Sequence, residues 1–288
     1  MGLPMATRLS TAGYCLSVWN RTTSKTRSLA QLGATIELTP LDVARNSQIV
    51  ITMLEGPEAL DQVVFGDMGI SRAMSSDKYL IDMSTTGPKY WLELVDRLDP
   101  HGGSGPYLVD APVLGSVPQA QAGELAIFVG ANLNTYSEVQ DLLGTLGEVT
   151  RVGGPGAGQS LKLVINSSLV SLQCVLGEAL ALAGHFGLDT TMVLDALERS
   201  SLEPVVRKKR HNIQSNDFSA RFSARNAHKD ARLIIENSTS KRDTLKIVES
   251  SLEYFRDAIE SGDGDQDYSV VTKTIRARLS RGTTQLEQ

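Results

Sequence analysis

The chain has 288 residues, 41% of them hydrophobic and 21% charged, with a formal net charge of −5. That composition supports a sizeable core and, at this length, two domains in preference to one. The negative balance excludes a general electrostatic grip on nucleic acid or on an anionic membrane surface. Two cysteines, Cys15 and Cys174, stand in apolar surroundings without metal or CxxC spacing. They read as small buried residues in a reducing, cytoplasmic setting, and no metal is expected.

Taken in order, Met1-Gly-Leu-Pro-Met-Ala6 opens as a helix start, with no strand before it. Strands are predicted over 14–20, 35–38, 49–54 and 79–83, separated by helices over 24–32, 40–46 and 57–65, with another over 88–98. Ile49-Val-Ile-Thr-Met-Leu54 is apolar throughout, as a strand covered on both faces would be. This alternation predicts an α/β domain with a parallel, doubly wound sheet of Rossmann type. Two more strands, 107–111 and 125–129, flank a Gly/Pro-rich loop, and a last one lies near 148–152.

After Gly153-Gly-Pro-Gly156 the pattern changes, and helices are predicted near 159–185, 189–199, 226–238, 242–260 and 267–279. The expected domains are therefore 1–153, dinucleotide-binding, and 154–288, all-α and entered by a long helix. The run from Leu161 to Ala183 is long and apolar enough to raise the membrane question. Lys162, Asn166, Gln173 and Glu178 interrupt it, which favours a buried helix. The tail beyond about Arg278 is polar and expected to fray.

Ligands of open parallel sheets bind beyond the carboxyl ends of the strands. There the chain carries Asn20-Arg-Thr-Thr23, Met53-Leu-Glu-Gly-Pro57, Ser84-Thr-Thr-Gly-Pro88 and Asp110-Ala-Pro-Val-Leu-Gly-Ser116. An Arg with neighbouring hydroxyls after an early strand favours a ribose 2′-phosphate; the plain alternative is a surface charge in a turn. The hydroxyls at 84–86 could be mere helix caps, but they share that edge. Backbone N–H groups of Gly115 and Ser116 could receive a carboxylate. Lys162 and Asn166, four residues apart on a helix, project from one face and could hold a substrate oxygen and exchange a proton with it. On those two residues alone, a solvated Lys and an Asn in a polar notch would suffice.

Four stretches together resemble the β-hydroxyacid dehydrogenases, the family of 3-hydroxyisobutyrate dehydrogenase and tartronate semialdehyde reductase. Met1–Ala6 is similar to the second half of the family's Gly-rich cofactor motif, and Asp110-Ala-Pro-Val113 to the start of its substrate signature. Gly156-Ala-Gly158 with Lys162 and Asn166 resembles its catalytic signature, and His228-Lys-Asp230 its late Lys-Asp motif. The resemblance implies a catalytic acid/base at Lys162, with Asn166 positioning the substrate. It implies a cofactor lined by Gly2, Arg21, Thr22, Met53, Leu54, Thr85 and Lys229, and a substrate carboxylate held by Val113, Leu114, Gly115 and Ser116. The expected function is hydride transfer between NADP(H), or NAD(H), and a small β-hydroxyacid or its semialdehyde. Self-association into a dimer or tetramer through the apolar helical domain is also expected. Asp230 is read as a helix or ion-pair residue.

The chain departs from the family pattern in two places. Leu114-Gly-Ser116 stands where the family reads Ser-Gly-Gly, which bears on the substrate more than on the reaction. The family also begins with a strand and two glycines ahead of the point where this sequence begins, so a truncated start is expected and organellar targeting stays open. A non-catalytic member serving as an oligomerisation platform is the alternative reading. Imine reductases of the same fold generally lack the Lys, and Lys162 counts against that choice.

Overall fold

The computed structural model describes residues 1–238 and 245–285, which form two compact units, Met1–Leu163 and Val164–Gln288. The first unit opens on helix α1 (Gly2–Thr11), and β1 (Ser17–Val18), α2 (Arg27–Gln31) and β2 (Thr35–Ile36) come after it. Next come α3 (Pro40–Asn46), β3 (Ile49–Thr52), α4 (Pro57–Phe65), β4 (Tyr79–Asp82), α5 (Pro88–Leu98) and β5 (Tyr107–Asp110). The unit closes with β6 (Val113–Leu114), α6 (Val117–Ala122), β7 (Leu125–Gly130), α7 (Leu133–Gly144), β8 (Gly147–Gly153) and the start of α8 (Ala157–His185). Proline in the first turn of α3, α4 and α5 fixes where each begins, because its missing N–H would be unpaired there anyway.

β3, β4 and β5 pair in parallel, as predicted. β7 runs antiparallel to both β5 and β6, so the sheet is parallel-dominated and mixed at one side. Connection length explains the departure. Only Ala111 and Pro112 separate β5 from β6, and residues 115–124 lead from β6 to β7, too few for a parallel crossover. The longer link through α7 restores parallel pairing between β7 and β8. The strand predicted over 14–20 shrinks to Ser17–Val18, which pairs with β2 in a separate two-stranded sheet. Among the described residues, neither β1 nor β2 pairs with β3.

Alternation along the strands sends side chains to opposite faces, and both faces are covered. Val50 and Leu80 pack with Leu60, Val64, Trp91 and Leu94 of α4 and α5. Ile81, Val109, Ile127 and Val129 pack on the other side with Met5 and Leu9 of α1 and Val139 and Leu143 of α7. Each fully buried aliphatic side chain contributes roughly 1.5–3 kcal/mol, which is what holds the sheet's edge rigid for the loops it carries.

The second unit is helical: α8 continues into it, then α9 (Thr190–Leu197), α10 (Glu203–Ser215), α11 (Ala224–Ser238), α12 (Lys246–Ala258) and α13 (Val271–Gln285). The division between the units falls inside α8, beyond the glycine break at 153, because the first turn of α8 is bonded to β5. Residues 242–244 of the helix predicted from 242 lie outside the described residues. The tail expected to fray after about Arg278 is helical to Gln285, and residues 286–288 lie outside the described residues. α10 is unforeseen. Its inward positions include Val206, Lys209 and Ile213, and Lys209 is buried against Asp267, its Nζ 2.6 Å from Oδ1 and 4.3 Å from the Tyr268 ring centroid.

Candidate active site

The first unit gathers much of its predicted site at the carboxyl edge of β3, β4 and β5. Gly2 opens α1 directly beside Met53, and a Cβ on Gly2 would lie 3.8 Å from that of Met53. The first turn of α1 has no side-chain cap and no acidic residue, so its N–H groups and positive dipole end suit a pyrophosphate. Leu54 N–H donates to Ser84 Oγ at 2.8 Å, joining the loop after β3 to the turn that carries Thr85. Arg21 and Thr22 are exposed at the end of β1, where Asn20 Oδ1 accepts from Thr22 N–H at 2.9 Å and shapes the turn. A cation flanked by threonine hydroxyls in an exposed turn fits a 2′-phosphate.

Beneath the turn lie two buried carboxyl groups on adjacent strands, Asp82 and Asp110, paired in register. Asp82 accepts from the hydroxyls of Thr52 (2.7 Å), Ser84 (2.6 Å) and Thr86 (3.4 Å). Burial pushes Asp82 above its ordinary value against those donors. Asp110 caps α8 from outside the helix: Oδ1 accepts from Gly156 N–H at 2.7 Å and Oδ2 from Gln159 N–H at 2.8 Å. Gly130 and Gly158 leave the space for it, since a Cβ on either would crowd its carboxyl oxygens. Burial pushes Asp110 up to about 7, with the two backbone donors resisting and Asp82 adding repulsion.

Gln159 completes the network. Its Oε1 accepts from the backbone N–H of Thr86 and Gly87, each at 3.0 Å, and its Nε2 donates to Ser84 O at 2.9 Å. Gly87 has φ +81° and ψ 150°, a conformation essentially confined to glycine, and it caps α5. Lys162 is half-buried one turn further along α8.

The predicted substrate loop runs from β6 to the start of α6. Val113 is buried against β7, Leu114 is exposed, and Gly115 has φ +136° with Leu125 packed where a Cβ would be. Ser116 is engaged within the loop. Both its N–H (2.9 Å) and its hydroxyl (2.7 Å) donate to Gln119 Oε1 in the capping box that starts α6. A carboxylate would have to displace Gln119 to reach that N–H.

In the second unit Asn166 is almost fully buried, and its Nδ2 donates to Asp230 Oδ2 at 2.6 Å. Lys229 Nζ lies 2.8 Å from Asp230 Oδ1. Asp230, read from sequence as a helix or ion-pair residue, does pair with Lys229 and in addition bonds Asn166, so it meets both predicted site residues of this unit. Nothing in local periodicity marks it, because Asn166 is 64 positions away.

Residues 1–154 match the family described as "NAD binding domain of 6-phosphogluconate dehydrogenase", and residues 156–275 match "NAD-binding of NADP-dependent 3-hydroxyisobutyrate dehydrogenase". The chain belongs to the β-hydroxyacid dehydrogenase family. It is an NAD(P)-dependent oxidoreductase. Among its relatives, glyoxylate/succinic semialdehyde reductase 1 of Arabidopsis thaliana is 28% identical, with 96% of this chain and 95% of the relative aligned. The 3-sulfolactaldehyde reductase of Escherichia coli is 27% identical, over 99% of this chain and 95% of its own. The 3-hydroxyisobutyrate dehydrogenase of Mycobacterium tuberculosis, solved with L-serine, shares the fold at TM-score 0.82 and 24% identity, covering 96% of both chains.

The dehydrogenase's buried carboxyl pair gives its stability a pH dependence of definite sign. Between 3.8, the ordinary value, and about 7, folded Asp110 holds a proton that the unfolded chain releases. Its contribution therefore strengthens as pH falls toward 4 and is lost as pH rises through about 7. Asp110→Asn should remove it. Denaturant unfolding of both proteins from pH 5 to 7 should show a difference in slope of up to about 1.4 kcal/mol per pH unit. Identical slopes would mean Asp110 does not titrate in this range.

Proposed function

We infer that the enzyme is an NADP(H)-preferring reductase or dehydrogenase interconverting a small β-hydroxyacid and its semialdehyde or keto form, with Lys162 as acid/base. One observation carries the reading. Lys162 stands on a helix whose first turn is bonded to Asp110 and, through the Gln159 side chain, to the Ser84–Gly87 turn, at the edge where the loops of Met53, Leu54 and Thr85 end. The bound nicotinamide would supply or accept the hydride. Lys162 would donate a proton to the carbonyl oxygen as the hydroxyl forms and take it back in the reverse direction. In the first unit the reading assigns Gly2, Arg21, Thr22, Met53, Leu54 and Thr85 to the cofactor. In the second unit the reading assigns Asn166 to the substrate and Lys229 to the cofactor. The relatives named for glyoxylate, succinic semialdehyde and sulfolactaldehyde support a substrate of that size bearing an acid group. Leu114 and the engaged Ser116 distinguish this loop from one offering a serine hydroxyl.

Self-association is also proposed, on the surface of the long helix. Its amide residues Gln159, Asn166 and Gln173 are buried, whereas Val164, Leu172, Val175, Leu182 and Phe186 are exposed. Of these, Val164, Leu172, Val175 and Leu182 fall on one side of α8, eight, three and seven residues apart, a seam that a second copy of the chain would cover.

Three measurements test these assignments. Lys162→Ala should lower kcat by about 10²–10⁴-fold with glyoxylate or succinic semialdehyde as substrate, leaving NADPH affinity nearly unchanged. A variant with undiminished turnover would remove the acid/base assignment. Arg21→Ala should weaken NADPH about 10- to 150-fold while sparing NADH, as loss of a charge-assisted bond to a 2′-phosphate would. Equal use of NADPH and NADH by the unmutated chain would contradict this. For the helix surface, Leu182→Asp should shift the light-scattering mass toward the monomer, and a monomeric unmutated chain would count against self-association.

A further inference from the structure

We propose that Gln159 is a positioning residue for hydride transfer, clamping the Ser84–Gly87 turn to the helix that carries Lys162; this rests on the reductase reading. Gln159 is fully buried. Its amide makes three bonds to the turn's backbone, at Ser84 O, Thr86 N–H and Gly87 N–H. Two lone pairs and one N–H are used, so the site requires a neutral side chain that accepts twice and donates once. The turn's hydroxyls are held from the other side, with Ser84 and Thr86 donating to Asp82. Gln159 is itself anchored through its own N–H to Asp110.

The turn is thereby fixed in two ways, to the sheet by Asp82 and to the helix by Gln159. Thr85 sits at its centre, and Lys162 lies three residues after Gln159 on the same helix. Without the clamp, the turn would keep its attachment to the sheet and the helix its cap on Asp110, but the two could shift relative to each other. Misplacement by about 1 Å can cost on the order of 10²-fold in rate, even where no reacting group is removed.

Two variants of the full chain separate positioning from simple support. Gln159→Ala should lower kcat by about 10- to 100-fold with NADPH and glyoxylate or succinic semialdehyde, leaving NADPH affinity within about threefold. In the cofactor-free protein, Thr86 and Gly87 amide hydrogens should exchange faster. Gln159→Glu supplies a pH-dependent rescue. A protonated carboxyl accepts through its carbonyl and donates to Ser84 O as the amide does, whereas an ionised one opposes Ser84 O with a second acceptor. Burial and the Asp82 and Asp110 carboxyls around the site favour the protonated form; the Lys162 ammonium, one turn along, favours the ionised form. The ratio of Gln159→Glu to unmutated kcat should approach one near pH ~6 and fall toward the alanine level by pH ~9. A side chain needed only for folding would give no such trend, and the glutamate variant at low pH carries the test if the alanine variant does not fold. Unmutated kcat in Gln159→Ala, or a ratio flat with pH, would overturn the proposal. No turnover by the unmutated chain would instead overturn the reductase reading and the catalytic role with it, and the Thr86 and Gly87 exchange would then decide whether the clamp exists.

Discussion

The bond between the Asp110 carboxyl and the first turn of α8 is the contact on which the rest of the site depends. Helix starts leave N–H groups without partners, and most are satisfied by a side chain at the N-cap itself. Here the acceptor comes from the end of a strand 46 residues earlier. A local cap would end the helix anywhere the chain happened to lead it. A cap donated by β5 fixes the helix to the sheet, and Lys162 with it. The cost is a carboxyl group taken out of water beside another. The structure offsets this with the Gly156 and Gln159 donors at Asp110 and three hydroxyls at Asp82.

That arrangement also explains which parts of the molecule were legible in the sequence. Strand–helix alternation from Ile49 to Leu98 was plain, because apolar runs bounded by prolines at helix starts leave little choice. The antiparallel β7 was not, because direction depends on connection length and pairing more than on the strand's own residues. α10 was hidden by Lys209, a charge at a position where periodicity requires an apolar side chain; its ion pair with Asp267 makes that position tolerable. Among candidate site residues, Lys162 and Asn166 were proposed from helix spacing and family resemblance together. Asp110 and Gln159 stood in the motifs without a role, and Asp230 was read as a helix or ion-pair residue without its bond to Asn166. Each acts on something 46 to 75 positions distant, and no local pattern encodes a partner at that range.

α8 shows how misleading composition alone can be. By length and hydropathy it could cross a membrane, yet 44% of its most apolar window is buried within the protein. Its amides Gln159, Asn166 and Gln173 are buried together with Leu163, Val170, Leu176 and Leu180, while Val164, Leu172, Val175 and Leu182 are exposed, so apolar residues lie on both sides of the helix. Gln159 and Asn166 are buried because they bond the Ser84–Gly87 turn and Asp230. The outward row needs a different explanation, which is why a protein surface is the partner proposed for it.

The substrate loop carries the same logic to the question of selectivity. The capping box between Ser116 and Gln119 fixes the loop's shape by engaging Ser116 at both its N–H and its hydroxyl, so that N–H is already occupied. Gly115 cannot be replaced cheaply, since φ +136° and the packing of Leu125 both exclude a side chain. Leu114 is under neither constraint: its side chain is exposed, and its backbone is what pairs with Ala126 of β7. Of the three residues that depart from or match the family's loop, two are therefore committed to the backbone's shape. Under the proposed function the remaining one, Leu114, is the position open to the substrate, where an aliphatic side chain would favour contact with carbon over recognition of a hydroxyl.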